Sequence, residues 1–188
     1  MTYNKYKESG AIHWDWYKNK LSYKQVVDSA LAQFDETDTG LGAGVVLDVG
    51  AGDGLPAYLL TQKGFVVEGV DSNIQGKKLM KEKFEENGVK PIKYYGKKVE
   101  NLKPARRYDY LLSINAIEHL NKPEAIVELM EYVDNYAVIV TDDVNQTTGQ
   151  EGHNREFTID ELKKLFSDYD VEEIEINHPK FIGIKVKK

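Results

Sequence analysis

Two hydrophobic periods alternate along this chain. From Ser22 to Phe34 (SYKQVVDSALAQF) the apolar residues Val26, Val27, Ala30, Leu31 and Phe34 recur at helical spacing, which predicts an amphipathic helix. Gly40, Gly42 and Gly44 then break the chain. Short apolar runs and helical patterns take turns from there: a strand over Val45 to Val49, a helix from Pro56 to Gln62, a strand over Val66 to Val70, and a helix from Ile74 to Asn87 stopped by Gly88. Pro56 suits a first helical turn, and Asn87-Gly88 suits a helix end. The second half adds a short strand near Ile92 to Tyr95, a strand over Tyr108 to Ile114, a helix from Pro123 to Val133 and a strand from Tyr136 to Thr141. Thr158 with Glu161 three residues on reads as a capping box that opens a helix through Phe166. Val171 to Ile176 and Phe181 to Val186, around His178-Pro179, predict an antiparallel hairpin. Units alternating in this way imply right-handed crossovers and an α/β fold with a doubly wound, mostly parallel sheet. Such sheets bind ligands at the carboxyl ends of their strands, at the switch point.

That edge carries the first candidate chemistry. "LDVGAGDG", Leu47 to Gly54, sets Gly50, Gly52 and Gly54 directly after the first strand, with Ala51 between the first two. Without Cβ atoms, the backbone turns tightly there and a ligand can approach it closely. A dinucleotide fingerprint, G-x-G-x-x-G, would need its third glycine where Leu55 stands. Asp53 also puts a negative charge inside the turn, where a pyrophosphate would be repelled. The stretch therefore fits a ligand without phosphates better than NAD. The second strand, "VVEGVDSN", ends at Asp71 and Ser72, and Asp71 falls 21 residues after Gly50. An acid at that strand end can accept hydrogen bonds from both ribose hydroxyls and would reject a 2′-phosphate. Glu68, within the strand, is the competing acid.

Taken in order and spacing, "LDVGAGDG", "GVDSN" and "YDYLLSINAIEHL" resemble the successive motifs of class I S-adenosylmethionine-dependent methyltransferases, over roughly Val45 to Phe166. The resemblance implies a Rossmann-like, doubly wound, seven-stranded sheet whose last strand is antiparallel. It implies S-adenosylmethionine as cofactor and methyl transfer to an oxygen or nitrogen of a small molecule by in-line displacement. Gly50, Ala51, Gly52 and Gly54 would wrap the methionine part, Asp48 would lie beneath it, Asp71 and Ser72 would meet the ribose, and Asn115 would line the cofactor floor. One departure stands out: Lys97 and Lys98, in "YYGKKVENL", occupy the place where many relatives carry an acid for the adenine amino group. Backbone around Val99, or Glu100, is left for that contact.

Methyl transfer needs alignment above all, and a base only when the acceptor must lose a proton. "NAIEHL" offers His119, a base suited to neutral pH, next to Glu118. "GHNREFT", Gly152 to Thr158, is similar to a segment of relatives that modify small metabolites or sugars, which makes His153 a second catalytic candidate. Arg155 would grip a carboxylate or phosphate of the acceptor. Plain packing is the competing account of His119, and a metal role with Glu118 the lesser one, so no metal is assigned. Asp142 and Asp143 are substrate contacts or turn formers. The leader "IHWDWYKNKLSY" concentrates His13, Trp14, Trp16, Tyr17 and Tyr23, rings that either cover core or form a lid, with Trp14 and Tyr17 expected against the acceptor.

Composition narrows these readings. The 188 residues suit one domain, with a leader and cap helix over 1–40 and the Rossmann-like core over 41–188. No run approaches the ~20 apolar residues of a membrane span, and Met1 to Tyr17 lacks an apolar signal core, so a soluble, cytoplasmic protein is expected. The absence of cysteine excludes thiol nucleophiles, thiolate zinc sites and the covalent route to pyrimidine carbon 5. A net charge of -6 argues against nucleic acid as partner, although Gly76 to Arg107 holds nine Lys and two Arg against four Glu. That run is a solvated face or an anion-facing patch. No N-P-P-Y or D-P-P-Y follows the fourth strand, which leaves a small-molecule acceptor. The rivals are a non-catalytic S-adenosylmethionine-binding regulator or scaffold and a nicotinamide oxidoreductase, against which Gly54 argues. Oligomeric state is open.

Overall fold

A computed structural model describes residues 5–34, 44–146 and 153–188. The expected glycine break at Gly40 and Gly42, and Gly152 of the "GHNREFT" segment, lie outside the described residues. Seven strands form one sheet: β1 (Val45–Val49), β2 (Val66–Val70), β3 (Lys93–Tyr95), β4 (Tyr108–Ile114), β5 (Val133–Asp142), β6 (Asp170–Ile174) and β7 (Phe181–Lys187). Their order is β3-β2-β1-β4-β5-β7-β6. The first five run parallel; β7 lies antiparallel between β5 and β6, pairing Ile139 with Ile184 and Val171 with Val186. The winding reverses between β1 and β4, so their carboxyl ends form the switch point.

Helices cover both faces: α1 (Lys5–Ser9), α2 (Ile12–Asn19), α3 (Leu21–Leu31), α4 (Leu55–Gln62), α5 (Ile74–Glu86), α6 (Glu124–Leu129) and α7 (Ile159–Leu165). The period of two in the strands sorts the core. Val46, Tyr110, Leu112 and Val138 pack with Val27, Leu31, Phe34, Leu60 and Phe84, while Leu47, Leu111, Ala137 and Ile139 pack with Ile126, Leu129, Leu162 and Phe166. Asn73 caps α5 by accepting from the N–H groups of Gln75 and Gly76, and Thr158 with Glu161 forms the expected capping box on α7.

Several expected elements shift. The helix expected over Pro123 to Val133 stops at Leu129 and tightens into a 3₁₀ turn at Met130–Tyr132, because Val133 pairs with Tyr108 and already belongs to β5. The amphipathic helix expected to reach Phe34 ends at Leu31, yet Phe34 is still buried in the core. The leader also folds as two short helices, α1 and α2, parted by Gly10 in the left-handed region. The basic run divides into ion pairs: Lys78 with Glu82, Lys81 with Glu85, Lys83 with Glu86, Lys93 with Glu68 and Arg107 with Asp134. The pairs exposed on both sides contribute little stability individually and lace part of this surface, whereas the acid facing Lys93, Glu68, is buried.

Candidate active site

The turn after β1 is tied to its own fold. Gly50 and Ala51 donate backbone N–H bonds to the Val70 carbonyl at 2.8 and 3.2 Å, and Gly54 N–H reaches the Ala51 carbonyl at 2.8 Å. Asp71 Oδ2 accepts from Gly52 N–H at 3.1 Å, and its Oδ1 accepts from Asn73 N–H at 2.7 Å. Four of the turn's N–H groups are thereby directed at protein acceptors, so the turn is no anion nest for a pyrophosphate. Gly50, Gly52 and Gly54 all have positive φ, as a turn this tight requires. The space beside two of them is filled by protein: a Cβ on Gly50 would stand 2.3 Å from Ala116 Cβ, and one on Gly52 would stand 2.1 Å from the Tyr6 hydroxyl.

Asp48 is buried below this turn, and its Oδ2 has no hydrogen-bond partner. Burial first, and the Asp71 carboxylate second, push its carboxyl up to about 7. Burial also holds the Tyr6, Tyr23 and Tyr94 phenols above their ordinary range, with Asp53, Asp71 and Asp48 adding to the effect. Asp48, Asp53 and Asp71 thus lie close together around the turn, a setting that disfavours a phosphate. Asn115 follows β4 at φ 49, its N–H bonded to the Val140 carbonyl at 2.9 Å and its Oδ1 buried without a partner. Asn enters the left-handed region more readily than other non-glycine residues, and Ala116, the next residue, fills the space that a Cβ on Gly50 would need. Ser72 is exposed between Asp71 and the cap residue Asn73.

Asp53 has a role the sequence did not disclose. Its carboxylate, fully buried, accepts from His13 N–H at 2.9 Å and meets His13 Nδ1 at 3.0 Å, while its carbonyl accepts from Trp14 Nε1 at 3.0 Å. The acid inside the glycine turn thus clasps the first turn of α2. Tyr94 secures the same turn from β3, donating to the Gly52 carbonyl at 2.9 Å. The leader's rings divide accordingly. His13 stacks on Tyr23 beside Asp53, and Trp14 packs on Tyr58 of α4. Tyr17 turns away to donate to Asp28 of α3 at 2.7 Å. Glu68, the rival to Asp71, is engaged within the sheet by Tyr95 and Tyr108 hydroxyls at 2.8 and 2.9 Å.

On the β4 and β5 side, His119 and His153 meet edge to face with ring centroids 4.9 Å apart. Glu118 is buried; its Oε2 accepts from Thr141 at 2.9 Å, and its Oε1 stands 3.9 Å from His119 Nε2. The Glu118 carbonyl accepts from the N–H groups of Asn154 and Arg155 at 2.8 and 3.2 Å, which seats the His153 segment on the β4 loop. Burial, and then His119, hold His153 below the ordinary histidine value, against the pull of Glu156. Arg155 is exposed, with its guanidinium 4.9 Å over the Phe157 ring. After β3, Lys97 and Lys98 are exposed, Val99 is buried, and Glu100 accepts from Asn121 N–H at 3.2 Å.

Residues 46–135 match the family model of a methyltransferase domain. That segment is just under half of the chain, and it supports a class I S-adenosylmethionine-dependent methyltransferase. The chain is similar to the ubiquinone biosynthesis O-methyltransferase of Rickettsia conorii, 29% identical over 130 residues that make up 69% of this chain and 44% of that protein. With the Rickettsia akari protein of the same description it is 27% identical over 146 residues, 77% of this chain and 55% of that one. The chain thus spans about half the length of the curated relatives it matches. Among solved structures, a magnesium protoporphyrin IX methyltransferase from Synechocystis PCC 6803, crystallised with bound SAM, superposes with a TM-score of 0.73 at 16% identity, covering 98% of this chain and 93% of that one.

Proposed function

We propose that the chain binds S-adenosylmethionine at the β1–β4 switch point and methylates an oxygen or nitrogen of a small molecule. The observation that carries this reading is the buried Asp48 carboxyl, with one oxygen unpartnered, under a turn whose N–H groups are already engaged. Such a site suits a cationic nucleoside that approaches carboxylates, not a dinucleotide that needs free N–H donors. Bound there, S-adenosylmethionine supplies a methyl group activated on a sulfonium.

The residues then have separate tasks. Asp71, oriented by Gly52 and Asn73 N–H groups, accepts from the ribose hydroxyls, with Ser72 beside it. Gly50, Ala51, Gly52 and Gly54 give the methionine part its close approach. Asp48 supplies a negative charge beneath it, and Asn115 offers its free Oδ1 at the end of β4. His119 and His153 stand ready to take the acceptor's proton when a hydroxyl is the nucleophile. Alignment supplies most of the acceleration, and well-oriented effective molarities are worth ~7 to 11 kcal/mol. Arg155, exposed on the neighbouring loop, selects acceptors that carry an anionic group. The Trp14 indole N–H and the Tyr17 hydroxyl are engaged by Asp53 and Asp28, which leaves their ring faces to meet an acceptor.

Calorimetric titration with S-adenosylmethionine, S-adenosylhomocysteine and NADH, on the protein and on Asp71→Ala, tests the reading. The first two are expected to bind, and the substitution to weaken them by roughly 1.5 to 3 kcal/mol, about tenfold to a hundredfold or more. Binding of NADH alone, or of none of the three, overturns it.

A further inference from the structure

Glu118, His119 and His153 each bring one ligand atom to within 4.8 Å of the others, at the carboxyl ends of β4 and β5. We propose that these three side chains bind one divalent transition-metal ion, a site beyond the cofactor turn and independent of it. The donor set favours that class of ion: two imidazoles and a carboxylate suit zinc, manganese, iron, cobalt or nickel, whereas magnesium and calcium select oxygen ligands.

The surroundings of His153 supply a second, independent observation. Its side chain is 6% exposed, and its buried Nδ1 has no hydrogen-bond partner. A buried polar atom left so requires an explanation, and an ion provides one. His153 also lies between two carboxylates, with Nε2 3.6 Å from Asp142 and Nδ1 3.8 Å from Glu156. Whichever ring nitrogen takes the ion, the other N–H faces a carboxylate, the arrangement that orients histidine ligands on metals. Glu118, Asp142 and Glu156 together surround the two rings with negative charge.

The geometry needs only a small closure. Three ligands on one tetrahedral ion with bonds of about 2.1 Å stand about 3.4 Å apart, so atoms up to 4.8 Å apart must approach by roughly 1.4 Å at most. His119, 41% exposed, has room to turn. The Asn154 side chain, which donates to the His119 carbonyl at 2.6 Å, and the Glu118 carbonyl hold the two segments in register. Three protein ligands leave coordination positions open for water or an acceptor oxygen, whose proton such an ion makes easier to lose to solvent. In that state the two imidazoles are ligands and no longer bases.

Cobalt(II) titration of the chelator-treated full chain, followed by visible absorption without cofactor and compared with Mg2+, tests the site. One Co2+ per chain is expected, bound more than about tenfold less tightly in His119→Ala and in His153→Ala. His178→Ala, whose ring packs on Phe181 outside the cluster, should bind Co2+ as the parent does. Because His119 is exposed, its loss should leave the circular dichroism melting curve unchanged and separate ligand loss from misfolding. No saturable binding, binding unchanged in both variants, or Mg2+ competing at equal concentration would each overturn the proposal. Titrating the same samples with S-adenosylhomocysteine reads the methyltransferase assignment separately: nucleoside binding without Co2+ sinks only the ion site, and the converse sinks only that assignment.

Discussion

Replacing Gly52 by alanine isolates the contact between the leader and the glycine turn. The new Cβ would stand 2.1 Å from the Tyr6 hydroxyl and 3.3 Å from its Cζ, at a residue whose φ is +50. Left-handed backbone costs an alanine about 1 to 2 kcal/mol, and the overpacking against a buried ring about 1 to 3 more. Gly52→Ala should therefore destabilise the fold by roughly 2 to 5 kcal/mol. Tyr6→Phe removes the clashing oxygen and loses a long bond to His13 Nδ1, 3.4 Å, at a cost of about 0.5 to 1.5 kcal/mol. The double variant keeps the backbone strain and sheds the clash. Its urea-derived stability should exceed the additive expectation by about 1 to 3 kcal/mol, a coupling well outside the usual error of such cycles. Additivity within about 0.5 kcal/mol would show that α1 does not press on the turn, and the packing argument would fail.

Asp48 predicts a pH dependence. Its folded-state value, about 7, lies above the ordinary carboxylate range, so the folded state binds the extra proton and stability falls as pH rises from about 4 through 7, by on the order of 4 kcal/mol. Asp48→Asn should flatten that decline in urea melts at pH 5 and pH 8; an unchanged slope would place the titration elsewhere. A bound cation favours the ionised carboxyl, so S-adenosylmethionine should release a proton near pH 6.5, read by calorimetry in buffers of different ionisation heat, and the asparagine variant should release none. Glu68 gives the opposite signature: burial raises its carboxyl, but Tyr95, Tyr108 and Lys93 outweigh that and lower it. Glu68→Ala should cost about 2 to 4 kcal/mol of stability while leaving nucleoside affinity within about twofold, and a tenfold loss of affinity would return Glu68 to the cofactor site.

The legible parts of this fold are those whose instructions are local. The bounds of β1, β2 and β4 follow from apolar runs closed by Gly50, Asp71 and Asn115, and burial on both faces leaves such runs little freedom. The placing of Asp48, Gly50, Gly52, Gly54 and Asp71 in or directly after β1 and β2 is legible for the same reason: a turn and a strand end write their needs within a few residues. Residues recruited across the chain were not. No residue of α2 is buried, so no periodicity announces it; it is held by Asp53, forty positions beyond His13. Nor does the aromatic density around Tyr17 disclose that Asp28 on the next helix accepts from its hydroxyl. His119 and His153 each looked like a separate base, and only the backbone bonds to the Glu118 carbonyl bring them together.

The placement of β7 between β5 and β6 has a consequence for how the chain must be made. During synthesis β5 is complete about forty residues before its outer neighbour emerges, and until then the row of N–H and C=O groups along Tyr136 to Asp142 is an open edge beside a strongly apolar strand. β6 cannot shield it, because β6 itself has no place in the sheet without β7. The last strand therefore acts as a clasp for everything before it, and nascent chains stalled short of Phe181 should be the species that chaperones hold and aggregates recruit.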